Sequence, residues 1–264
     1  MKTIITFFCV FILVSAAIQA DVYVKGIVHI EGGYRYGHNV PDIDVVNEWW
    51  FDENKVTFMS TGWQLESAST DWRFTLDKER ERIIVVNLSK KSFVEVPLQM
   101  SLLSHVDQST AEWLNEFQID GKVEETGEKV TIHQKECDVY EVSERMIRKD
   151  DRFYDRKRAV MATSDVSFDW QIVNELYHWI SSFFNPQQSY LSELKKLKGF
   201  VFASNDVLFK RGSQIKWSFK VLEISQKKAP ENIYDICKDF NKKEKFTPGD
   251  LLYMRGIVYP SPSY

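Results

Sequence analysis

Apolar and polar residues alternate along much of this chain. In VYVKGIVHIEG (22–32), Val22, Val24, Gly26, Val28 and Ile30 share one face of an extended chain, and Tyr23, Lys25, Ile27, His29 and Glu31 share the other. That period of two predicts a β-strand. The same period recurs in pairs separated by short polar stretches. NEWWF, DEN and KVTFMS read as a hairpin; DWRFTLD, KERE, RIIVVNL, SKK and SFVEVPL read as two more in series. Consecutive hairpins build an antiparallel meander. Residues 33–45, rich in Gly, Pro and Asp, read as a connection with a short strand at 34–36. Residues 121–147 read as strand, Thr-Gly turn, strand. RAVMATSDV reads as a short strand, and GFVFASNDVLF with QIKWSFKVLEIS as a closing hairpin around KRGS. One strand poses a question. Trp49 and Trp50 are adjacent, and neighbours on a strand point to opposite faces, so this strand carries a large aromatic on both.

The period lengthens in three places. Ser109 and Glu112 form a capping box ahead of Trp113, Leu114 and Phe117, which predicts a helix start. WQIVNELYHWISSFF (170–184) is the strongest helical pattern: Val173, Leu176, Tyr177, Ile180, Phe183 and Phe184 recur at spacings of three and four, and Trp170 and Trp179 widen the stripe beyond what one packed face requires. Pro186 ends it, and SYLSELKKL (189–197) predicts a shorter helix. About ten strands, two or three helices, no βαβ rhythm, no repeat and no Gly/Ser linker argue for α+β with one large antiparallel sheet. A sheet of that size curls towards a barrel or half-barrel. The tail from Lys238, with KKEK and PSPSY, reads as loosely held.

The N-terminus adds a compartment. Lys2, the apolar run Ile4–Val14 and the small residues up to Ala20 read as a secretory signal peptide cleaved before Asp21. The rival reading is an uncleaved anchor. Cys9 lacks the preceding small residues of a lipidated cysteine, and no other apolar run is long enough to span a bilayer. Without residues 1–20 the chain has 33 basic and 38 acidic residues, which offers no global pull on nucleic acid or anionic lipid. All eight Trp remain, enough for a thick apolar core or an apolar cavity. Two cysteines also remain, Cys137 and Cys237. An oxidising compartment allows one disulfide between them; two separate buried thiols are the alternative.

Several stretches together resemble a known family. NEWWFDENKVTF resembles a tryptophan strand followed by a lysine-bearing strand, NLSKKSFVEVPL a Lys-x-aromatic-x-Glu-x-x-Leu strand, and TGEKVTIHQKECDVYEV a hairpin leading to Cys-x-x-Tyr. ATSDVSFD, KLKGFVF and KVLEISQKKAPENIYDI follow in the same order. The chain is similar here, over most of residues 21–237, to a family of secreted bacterial proteins of unknown function related in fold to the periplasmic lipoprotein carriers (LolA/LolB-like). It departs from that pattern at Gln134 and Lys135, where a Gly-aromatic pair is common, at Phe93, where Tyr is commoner, and at Cys237, where Pro is commoner. The last change supplies a partner for Cys137. The resemblance implies a single domain over 21–237: an unclosed β-barrel with helices on its concave face and an apolar cavity between them. One of Trp49 and Trp50 then faces the cavity or core and the other the convex face or the rim.

Catalytic and metal patterns are sparse. The five histidines lack HExxH or Cys-x-x-Cys company. His38 with Asp42 and Asp44 is a candidate metal set, set against a solvated loop whose Asp residues make turns. There is no Gly-x-Ser-x-Gly elbow and no phosphate-binding glycine loop. Glu48, Asp52 and Glu53 read first as hairpin residues. The charge-rich segments 77–82 and 148–158 read as solvated loops, the second also as a recognition surface through Phe153 and Tyr154. Asn87-Leu88-Ser89 is a glycosylation sequon, relevant in a eukaryotic source.

By fold analogy the expected function is that of an exported, non-catalytic binding protein for a hydrophobic or lipid-like ligand, with no cofactor. Trp49 or Trp50, Trp63, Trp72, Phe74, Trp179, Phe183 and Phe184 are its expected lining. The competing expectation is an envelope or extracellular protein that docks on another protein and holds no small ligand. An enzyme needs converging polar groups, and no such set is legible.

Overall fold

A computed structural model describes residues 21–35, 38–62, 64–65, 68–69, 71–100, 102–148, 151–181, 188–210, 213–236 and 238–247. Its elements are β1 (Asp21–Ile30), β2 (Gly33–Arg35), β3 (His38–Val40), β4 (Ile43–Asp52), β5 (Lys55–Thr61), β6 (Gln64–Leu65), β7 (Ala68–Ser69), β8 (Trp72–Asp77), β9 (Arg82–Asn87) and β10 (Ser92–Pro97). A 3-10 turn (Leu102–His105) leads to α1 (Gln108–Asn115), β11 (Phe117–Ile132), β12 (Lys135–Arg148), β13 (Asp151–Thr163), α2 (Gln171–Ser181) and α3 (Gln188–Leu194). Then come β14 (Phe200–Lys210), β15 (Ser213–Lys227) and β16 (Asn241–Lys242).

Twelve of the strands form one sheet in the order β11-β12-β13-β14-β15-β1-β4-β5-β8-β9-β10-β16. The predicted hairpins supply five of the eleven neighbour pairs: β4–β5, β8–β9, β9–β10, β11–β12 and β14–β15. β1 pairs antiparallel with β4 on one side and with the distant β15 on the other. The sheet is unclosed, since its end strands β11 and β16 pair with nothing across the gap among the described residues. It is also curled. Ile119 and Met146 from one flank and Val85 and Val94 from the other belong to a single buried cluster, which a flat twelve-strand sheet keeps far apart. Ile172, Val173, Leu176 and Trp179 of α2 and Tyr190 of α3 belong to that same cluster.

The tandem tryptophans divide between the two faces. Trp49 joins the main cluster. Trp50 points the other way and packs with Tyr23 (ring centroids 4.6 Å apart) and Ile233. What covers Trp50 is the segment after β15. This strap crosses the convex face, placing Ile233 over Tyr23 and Trp50, and Ile236 and Phe240 beside Ile84, Val86 and Phe93. Arg73, pointing outward from β8, donates to the carbonyls of Asn232 (2.9 Å) and Asp235, and Thr57 donates to that of Ile233. β16 then adds in parallel to the edge of β10, and Phe246 is buried. The expected loose tail is therefore held as far as residue 247; the remainder lies outside the described residues.

Two further expectations change. Segment 148–158 is not a solvated loop: from Asp151 it is β13, with Tyr154 and Arg156 buried. The Thr-Gly pair is not the hairpin turn. Thr126 and Gly127 (φ 77) lie in an irregularity of β11, and the chain reverses at His133 (φ 49) and Gln134 (φ 61). Positive φ at both central residues defines a type I′ turn, which prefers glycine at the second. His133 is held there by its Nε2, 2.8 Å from the Val221 carbonyl oxygen. Gln134→Gly therefore relieves left-handed strain and raises unfolding stability by about 1 kcal/mol. A urea midpoint that stays put or falls in that variant refutes this account of the turn.

Of the two cysteines of the expected disulfide, one lies among the described residues. Cys137 is a free thiol, fully buried in the main cluster from β12. Burial first, and then neighbouring Asp138, push it above the ordinary thiol range. Cys237, the other cysteine of the expected pair, lies outside the described residues.

Candidate functional site

The inner face of β4, β5 and β8 presents aromatics at every second position: Trp49 and Phe51, Phe58, Trp72 and Phe74. Their rings fit against one another. Trp49 stacks on Phe58 at 5.2 Å and meets Phe200 and Phe219 edge-on at 5.6 and 5.7 Å; Phe51 stacks on Phe168 at 4.1 Å. Such offset and edge-on pairs add about 0.5–1.5 kcal/mol each beyond burial. Of the expected lining, Trp49, Trp72, Phe74 and Trp179 are brought together here. Trp50 is not, because it faces the strap. Trp63, Phe183 and Phe184 lie outside the described residues.

Helix α2 starts where the Asp169 carboxylate accepts from the Gln171 amide (2.9 Å), an N-cap contact. Its buried positions are Ile172, Val173, Leu176 and Trp179. Tyr177 departs from the expected stripe. Its ring lies 6.1 Å from that of inward-facing Phe58, yet it remains 39 % exposed. Tyr177 thus sits at the margin of the helix–sheet contact, with its ring near Phe58 and part of the residue in solvent.

A buried ionic network interrupts the apolar inner face on β12, β13 and β14, and sequence reasoning missed it. Glu144 of β12, Arg156 and Arg158 of β13 and Asp206 of β14 converge there. Arg156 donates to Asp206 through Nε (3.0 Å) and Nη2 (2.7 Å) and reaches Glu144 at 3.4 Å; its guanidinium lies 4.7 Å from the centroid of the Trp217 ring. Ser204 donates to Asp206 (2.6 Å), and Arg158 and the Tyr190 hydroxyl both donate to Glu144. Burial by itself raises the Glu144 pKa, but Arg158 and Arg156 and the Tyr190 hydroxyl outweigh it and hold the carboxyl below the usual range. Two cations and two anions balance, each with hydrogen-bonding partners. The chemistry is that of a structural polar network rather than of a proton-transfer pair. The signal for it was present: Tyr154, Arg156, Arg158 and Val160 alternate at strand period through the charged run.

Helix α3 seats its Tyr190 over this network because β11 has no side chain at Gly121. A Cβ there meets the Tyr190 ring at 2.5 Å and the Ser143 carbonyl oxygen at 2.4 Å. Glu193 of α3 accepts from the Val123 amide at 3.0 Å, so the helix also occupies a backbone donor of β11.

The remaining candidates do not assemble. Asp44 and Asp42 lie 2.8 and 3.9 Å from the two ring nitrogens of His29; the side chain of His38 lies outside the described residues. Among the described residues no three His, Cys, Asp or Glu side chains converge to hold a metal ion. Glu48 accepts from the Tyr23 hydroxyl, and Asp52 caps the β4–β5 turn through the Glu53 amide. Among the described residues no helix is long and apolar enough to cross a membrane.

No protein-family model matches the chain, and no curated protein matches it. Among solved structures it is similar to the crystal structure of a DUF1329 family protein from Desulfovibrio piger. The two are 9 % identical; the match covers 83 % of this chain and 90 % of that one, with a TM-score of 0.20.

Proposed function

We propose that this is an exported, non-catalytic binding protein that holds a hydrophobic or lipid-like ligand between the curved sheet and α2. One observation carries the reading: Tyr177 rests on the aromatic inner face and remains solvent-accessible. An apolar ligand entering beside it replaces water over Tyr177 and gains roughly 25 cal/mol for each Å² of apolar surface it covers. Trp49, Trp72, Phe74 and Trp179 form the wall behind. The carrier-like half-barrel, with its helices on the concave side, is part of this reading, as is export after cleavage at Ala20.

Native mass spectrometry of the protein, purified without detergent and followed by solvent extraction, tests it. The expected result is an added acyl-chain mass that leaves when the protein unfolds. An apo mass, with no uptake of added fatty acid or lipopeptide, would sink the proposal. Leu222 and Ile224, two positions apart on β15 and both exposed, favour a second reading: an apolar surface that docks on another exported protein.

A further inference from the structure

The strap covers only part of the convex face. Its two apolar clusters hold no residue of β13, β14 or β15. Arg156, Asp206, Leu208, Ile215 and Trp217 of those strands are buried on the inner side, so the alternate positions face out. Lys157, Val207 and Lys216 are register partners and form one outward row. Ala159, Asn205 and Ser218 form the next, and Lys220 follows on β15. Phe209 ends the block on β14 and is 43 % exposed. The three lysines are exposed and make no ion pair among the described residues. Cross-strand neighbours on one face lie about 5 Å apart, so Lys157 and Lys216 stand about 10 Å apart across Val207. These rows contain no acidic residue. At their rim, Asp155 is matched by Arg145 at 3.1 Å, and Glu141 stands opposite Ala159. Beyond Ala20 the chain has 33 basic and 38 acidic residues, so this face reverses the sign of the whole.

We propose that the convex face of β13–β15 docks on an anionic lipid surface through Lys157, Lys216 and Lys220, with Phe209 at the level of the headgroups. The residue types favour a bilayer over a protein partner. Protein–protein interfaces are depleted in Lys, Ala and Ser and enriched in Arg, and these outward rows have no Arg. A lysine ammonium is a hydrated point charge on a flexible stem, which suits diffuse headgroup charge better than a fixed carboxylate. The pleat sends all three side chains to the same side of the sheet, so they meet one surface together. Each lysine within a Debye length of such a surface strengthens partitioning about fivefold, and three together about 100-fold. This surface lies on the opposite side of the sheet from the aromatic inner face, so docking is independent of the ligand reading above.

The test sediments the chain from Asp21 with sucrose-loaded vesicles. One set is phosphatidylcholine alone, and the other is equal parts phosphatidylcholine and phosphatidylglycerol with the same acyl chains. Partitioning at low salt is expected to be about 100-fold tighter onto the anionic set. Most of that preference is expected to vanish at about 1 M salt, where the Debye length is about 3 Å. Lys157→Gln combined with Lys216→Gln should remove about 25-fold of it, with an unchanged urea midpoint because both side chains are exposed. Equal partitioning onto the two sets would assign the binding to acyl chains in the apolar site; it overturns the docking surface and leaves the binding-protein reading in place. A double variant that keeps the full preference overturns the assignment to this face. Retention on immobilised polyglutamate without binding to anionic vesicles gives the face to an acidic protein and overturns the lipid proposal.

Discussion

Arg156→Met is expected to lose about 3–5 kcal/mol of folding stability, the usual result of removing one member of a buried ionic network. The variant leaves Glu144 and Asp206 buried, with Arg158 as their nearest remaining cation. It also removes the guanidinium packed on Trp217. For a domain of this size the loss corresponds to a fall in melting temperature of roughly 10 °C. Replacing Glu144, Arg156, Arg158 and Asp206 together by apolar residues of similar volume should recover much of it, because the desolvation of all four charges is removed as well. A single variant that unfolds within 1 kcal/mol of the native protein would falsify the account of a sealed network. The pH dependence follows the same logic. Glu144 is held below its ordinary pKa in the folded state. Its contribution is therefore present above the unfolded value of about 4.3 and disappears as pH falls through the folded one. Acid unfolding, followed by circular dichroism, should move to higher pH in Arg156→Met.

Ending the chain after Lys228 should convert the convex face into an association surface. The strap's Ile233, Ile236 and Phe240 cover Tyr23, Trp50, Ile84, Val86 and Phe93. The burial of its apolar side chains is worth on the order of 5 kcal/mol. The truncated protein should lose stability by that order and self-associate at micromolar concentration, read by light scattering and urea unfolding. Arg73→Ala gives a milder form, since it frees the carbonyls of Asn232 and Asp235 and leaves the strap's apolar contacts in place. A truncated chain that stays monomeric with an unchanged urea midpoint would show that the strap decorates the sheet rather than completing it.

The strap also explains why reading the chain stopped short of its own question. The adjacent tryptophans announced that both faces of β4 are covered. Nothing local said that the outer cover comes from residues some 180 positions later, because a strap without periodicity has the composition of a loop. The network was hidden for a related reason. A run of Arg, Asp and Lys reads as solvated, and only the strands on either side of β13 supply the carboxylates that make burial affordable for Arg156. The hairpin turn at His133–Gln134 was obscured because neither residue is the Gly or Asn that the left-handed conformation favours, whereas Thr126–Gly127 carried that signature inside a bulge.

What the sequence by itself determined is most of the long strands, five of the hairpins, the helix over Gln171–Ser181 and the unusual load of aromatics at alternate positions. These follow from periods of two and of three to four, which depend on residues close in the chain. The tertiary structure alone decided which tryptophan faces inward, that β1 is zipped to β15, that Cys137 is a free thiol buried in the main cluster, and that a buried ionic network lies on the inner face. Each of those depends on pairing between segments far apart in sequence. Long-range register and sheet curvature, not local propensity, set which side chains meet.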